Sequence, residues 1–75
     1  MNTNIRAIRR AKGLSQGNVA SKVESIRGGN VSARWIGRLE SGKENMPEST
    51  LEQIANALGV TVELLIQPNL KSIPL

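Results

Sequence analysis

Arg34 and Arg38 stand four residues apart, and seven further cationic residues (Arg6, Arg9, Arg10, Lys12, Lys22, Arg27 and Lys43) crowd the same stretch, residues 1 to 43. Only Glu24 and Glu40 offset them there, so this part carries +7 and the remainder −3, within a net charge of +4. A basic half joined to an acidic half implies one face that meets a polyanion and another that does not. The plain alternative is an ordinary solvated surface. Covalent and acid–base chemistry lack their usual groups. The 75 residues include no histidine and no cysteine, and no carboxylates pair on one face. Gly28-Gly29 is a turn signal, not a phosphate-cradling loop. A zinc ion would find only carboxylates. These residues describe a binding protein, not an enzyme, with no cofactor and no metal.

Short helices must position the cations. Ile5 and Ile8, with Ala11 following, form a first apolar stripe that stops at Gly13. Ser15 fits an N-cap, with Leu14 and Val19 spaced as a hydrophobic staple. Val19, Ala20, Val23 and Ile26 carry a second helix to about Arg27, and Gly28-Gly29-Asn30 breaks it. Ser32 caps a third helix with Ile36 and Leu39 inward. Periodicity then turns Ala33, Arg34, Gly37 and Arg38 outward, with Trp35 at the margin. Ser49-Thr50-Leu51-Glu52 reads as a capping box opening a fourth helix, whose buried stripe is Leu51, Ile54, Ala55 and Leu58. Thr61 caps a short fifth helix, with Val60 and Leu65 as its staple. No strand pair is credible, so the fold class is all-α: five helices in one compact domain over residues 1–67, then a tail over 68–75. The longest apolar run falls well short of the roughly 18 residues a membrane span needs. No charged segment leads into an apolar N-terminal stretch, so a soluble, cytoplasmic protein is expected.

Three segments carry more than pattern: Gly13-Leu14-Ser15-Gln16 through Val23, Ser32 through Lys43, and Leu58 through Leu65. In order and near-correct spacing over roughly residues 4 to 66, they resemble the lambda-repressor-like helix-turn-helix family of phage repressors, Cro proteins and bacterial regulators. The resemblance implies a DNA-binding domain whose third helix, about 32–41, enters the major groove. It implies base reading by Ala33, Arg34 and Arg38. An arginine fork suits guanine O6 and N7, and an alanine methyl suits that of thymine. It implies an ion pair between Arg9 and Glu40, and a phosphate contact by Gln16 at the start of helix two. Lys43 and Asn45 match the segment that grips the backbone, where Arg10 and Lys12 can add charge. Ser32 and Trp35 are further expected backbone contacts. Trp35 would donate its indole N–H to a phosphate while its ring packs on helix two, or serve as the one large core residue. Gly37 is either a close approach to DNA or a neutral small residue.

One feature departs from the family. The stretch between Val23 and Ser32 runs about six residues beyond the usual turn of about 3–4. Helix two lengthens and ends in a Gly-Gly turn, or Glu24 to Val31 protrude as a loop; the continuing stripe at Ile26 favours the first. Arg27 and Asn30, in this insertion, become candidates for extra phosphate contacts.

The function implied is a transcriptional regulator of bacterial or phage origin, a repressor binding a palindromic operator as a homodimer. One recognition helix reads too few base pairs alone. Val60, Leu64, Ile66, Leu70 and Ile73 are candidate dimer surface, with ordinary core and a frayed tail as the alternative. A second reading is an antitoxin or co-regulator that engages a partner protein through the apolar tail Pro68 to Leu75.

Overall fold

A computed structural model describes residues 3–67. Five helices fill it: α1 (Ile5–Ala11), α2 (Gln16–Arg27), α3 (Ala33–Glu40), α4 (Glu48–Leu58) and α5 (Val62–Ile66). The all-α class follows, with no strand among the described residues. The C-terminal tail, with Leu70 and Ile73, lies outside them. α2 is the hub, packed on α3 and α4; α1 leans on both of these, and α5 covers one end of α4. Ile5, Ile8, Val19, Val23, Ile36, Leu39, Ile54, Leu58 and Leu65 are fully buried. Each such aliphatic side chain contributes roughly 1.5–3 kcal/mol. Trp35 packs against this core from its edge, only partly buried.

Local chemistry sets most of the helix ends. Ser15 Oγ accepts from Asn18 N–H at 3.0 Å, and Asn18 Oδ1 accepts from Ser15 N–H at 2.9 Å. This capping box uses asparagine in place of the common Glu or Gln. Thr61 Oγ1 accepts from Leu64 N–H at 3.2 Å, with Val60 and Leu65 flanking it against the core.

Three expectations need correction. The Ser49 capping box does not form: α4 begins at Glu48 with Pro47 in the cap position and no side-chain cap. Met46 and Leu51, both buried, bracket that start as a hydrophobic staple, and Leu51 N–H donates to Pro47 O at 3.0 Å. The staple draws the helix start towards Met46, leaving Ser49 inside the first turn. Ile26 is 40% exposed, because Val31, in the turn, closes the core at that end. Ala11, at the end of α1, is also exposed.

Asn4 joins the first helix to the last. Its side-chain amide donates to the carbonyls of Leu64 and Gln67, each at 2.8 Å, and its backbone N–H donates to Leu65 O at 2.7 Å. A five-residue helix has little intrinsic stability, and its last carbonyls lack partners of their own. Asn4→Ala is expected to cost about 1–2 kcal/mol, with α5 amides losing hydrogen-exchange protection before those of α4. A lowered melting temperature without that order of opening would assign Asn4 to global folding instead.

Candidate nucleic-acid interface

The recognition-helix candidate is held from three sides. Inside, Ile36 and Leu39 are buried. At its start, Ser32 Oγ accepts from Trp35 N–H at 3.1 Å. The lengthened connection before it is a longer α2 followed by a tight turn, not a protruding loop. Gly28 takes φ 75°, a conformation that costs L side chains energy but not glycine. Glu24 then fastens the turn at both ends. Its carbonyl accepts from Gly28 N–H, and its carboxylate from Val31 N–H, both at 2.8 Å. No periodicity marks Glu24 for this work; an acid four residues before Gly28 was the only available signal.

Behind α3, charge replaces apolar packing. The Glu40 carboxylate is 0% exposed, and Arg9 Nε donates to it at 2.6 Å while Arg9 Nη2 reaches its other oxygen at 3.3 Å. Arg9 Nη1 also donates to Leu14 O at 2.9 Å, so one guanidinium ties α1 to α3 and to the turn before α2. Arg6 Nε adds a contact at 3.3 Å and the Gln16 amide one at 3.1 Å. Burial pushes the Glu40 carboxyl up; hydrogen bonds from Arg9, Gln16 and Arg6, with the charge of Arg9, outweigh it and hold the group below the ordinary value of 4.5.

Gly37, expected to face outward, is half-buried against Gln16. A Cβ there would meet Gln16 Nε2 at 3.2 Å, tighter than ordinary contact. Gly37→Ala gains about 0.8–1.0 kcal/mol of helix propensity but displaces the amide that serves Glu40. The substitution is therefore expected to stabilise the protein more in a Gln16→Ala background than in the wild type. Equal gains in calorimetric melts of both pairs would show that Gln16 yields freely.

The outward face carries exposed Ala33, Arg34 and Arg38. Among the described residues Arg34 forms no ion pair, whereas Arg38 Nη2 meets Glu44 Oε1 at 2.8 Å. Trp35 lies with its ring at the end of α2 and partly buried against the core. Its indole N–H donates to Glu44 Oε2 at 3.1 Å, so it is already engaged within the chain. Its ring carries the guanidinium of Arg27, the last residue of α2, 5.2 Å from the centroid, within cation–π range. Arg27, Asn30 and Ser32 join Val31 and Trp35 around one shallow pocket of about 330 Å³. Lys43 and Asn45 are exposed in the loop after α3. Lys12 points elsewhere, to a groove shared with Lys22, Leu14 and the end of α4. There its ammonium faces the negative end of that helix. Glu44 escaped the sequence reading because its partners, nine and six positions earlier, follow no helical spacing.

A helix-turn-helix domain family matches residues 3–65. A search of curated proteins gives no match. The family match takes in α1 to α4 and all of α5 but Ile66. The whole described bundle, with α2 and α3 at its centre, thus places this chain in the helix-turn-helix domain family of DNA-binding proteins.

Proposed function

We propose that the protein is a sequence-specific, double-stranded-DNA-binding transcriptional repressor acting as a homodimer on a palindromic operator. The observation that carries this reading is the outer face of α3, where Ala33, Arg34 and Arg38 are all exposed on a helix pinned from behind. Arg34 and Arg38 read guanines bidentately, and Ala33 lies against a thymine methyl. Arg27, Asn30, Ser32, Lys43 and Asn45 contact the phosphate backbone, adding affinity and salt dependence. Gln16 keeps one amide N–H for a phosphate beside the bond it gives Glu40, and Trp35 works through the guanidinium it carries.

Two copies double the site, with half-sites about one turn of DNA apart. The partly exposed Val60, before α5, and Val62 and Leu64, with Ile66 at 42% exposure on α5, supply apolar surface for pairing. No helix among the described residues is long and apolar enough to cross a membrane, in keeping with a repressor working in the cytoplasm.

Selection of bound duplexes from random DNA tests the whole reading. A two-fold symmetric consensus with guanines in each half-site is the expected result. An asymmetric consensus would remove the homodimer. The absence of any consensus would remove sequence recognition and favour a protein partner as the main ligand.

A further inference from the structure

Glu44, in the loop after α3, touches two residues of the basic face at once. One carboxylate oxygen receives the Trp35 indole N–H at 3.1 Å, the other the Arg38 guanidinium at 2.8 Å. The Trp35 ring in turn carries Arg27. Arg38, Glu44, Trp35 and Arg27 therefore form one connected row from the end of α3 to the end of α2. A carboxylate so placed repels DNA phosphates and lowers affinity. Two well-directed contacts from one half-buried loop residue call for an account other than surface solvation.

From this row we infer that Glu44 is a specificity-determining residue that keeps Arg38 from contributing to indiscriminate DNA binding. The inference rests on the proposed DNA recognition by α3 and goes beyond it. An arginine already paired with a carboxylate releases little counterion when it nears a phosphate, so its sequence-independent gain is largely cancelled. The exchange favours DNA only where the guanidinium finds a planar, two-pronged acceptor such as guanine O6 and N7. An ion pair that solvent still reaches, with Arg38 exposed and Glu44 half-buried, is weak enough to be given up in that exchange. Glu44 also limits the orientations open to Arg38, which lowers the ordering cost of the specific contact. It acts through Arg38 and is a positioning residue, with no base contact of its own.

Glu44→Gln separates the two contacts, because the amide oxygen still accepts the indole N–H while the charge opposite Arg38 is gone. Binding is measured by titration on the selected duplex and on a random duplex across a salt series, for wild type, Glu44→Gln, Arg38→Ala and the double variant. Glu44→Gln is expected to tighten random-duplex binding by roughly three- to tenfold and to steepen its salt slope by about one. Binding to the selected duplex should change less, so the ratio of the two affinities falls. With Arg38→Ala in place, the same substitution should leave that ratio unmoved. Equal tightening on both duplexes would overturn the inference and make Glu44 a plain repulsive charge. A ratio that falls as far without Arg38, or does not fall at all, would overturn it too. A wild type unable to tell selected from random duplex would defeat sequence recognition itself, a failure visible before any variant is made.

Discussion

Glu40→Ala is expected to lower the unfolding free energy by about 3–5 kcal/mol, the usual cost of removing one member of a buried ion pair. Its partner Arg9 has only 11% of its side chain exposed and would keep a full charge with Leu14 O as its remaining acceptor. Domains have about 5–15 kcal/mol to lose, so the variant should be partly unfolded at modest temperature. Glu40→Gln keeps the shape and one acceptor oxygen and should lose less. Chemical denaturation of the two variants measures both, and a loss below about 1 kcal/mol for alanine would mean that water reaches Arg9 freely. The same carboxylate sets a pH dependence. Its folded-state pKa lies below the ordinary 4.5, so the unfolded chain takes up the proton first as pH falls. Stability from Glu40 is complete above 4.5 and drains away as pH drops through the folded-state value. Wild type should show this acid-side slope, and Glu40→Gln should show a flatter one.

Arg34→Ala is the second large effect, and it belongs to binding. Loss of a bidentate guanine contact costs about 1–3 kcal/mol, a tenfold to hundredfold weakening on the selected duplex. Preference at one base position per half-site should relax, while random-duplex affinity changes mainly through one lost charge. Since Arg34 is exposed and has no ion pair among the described residues, the melting temperature should hardly move. Equal losses on selected and random duplexes would make Arg34 a phosphate contact only.

What could be read from the residues alone divides by distance along the chain. Ser15, Ser32 and Thr61 were legible as caps because an N-cap bond spans three residues and needs nothing else. The longer α2 is favoured over a loop because Ile26 keeps the spacing of Val19 and Val23 up to a glycine stop; α2 does reach Arg27, although Ile26 itself is exposed. The α4 start was not, because the apolar pair Met46 and Leu51 outweighs the polar signature of Ser49 and Glu52. Ile26 keeps the helical spacing of a core residue, but spacing says nothing about where the neighbouring helices end. In the candidate site, periodicity turned Ala33, Arg34 and Arg38 outward, and the family resemblance suggested Arg9 with Glu40. Gly37 was misplaced because its partner, Gln16, is on another helix. The bonds of Glu24 and Glu44 link positions with no regular spacing, and only the folded chain displays them.

Asn4 bonds directly to the carbonyl of Gln67, so the residue before α1 and the residue after α5 meet at one place and the five helices form, in effect, a closed ring. A ring has no privileged opening. With a short linker across that junction, the same helices could be threaded in a different order, starting at Gly29 and finishing at Gly28. Both glycines are exposed and have open space at the position of a Cβ. Such a rewired chain severs the peptide link between α2 and α3 and leaves side-chain packing to hold them together. Whether it still selects the same DNA would separate what covalent continuity contributes to docking from what the core alone provides.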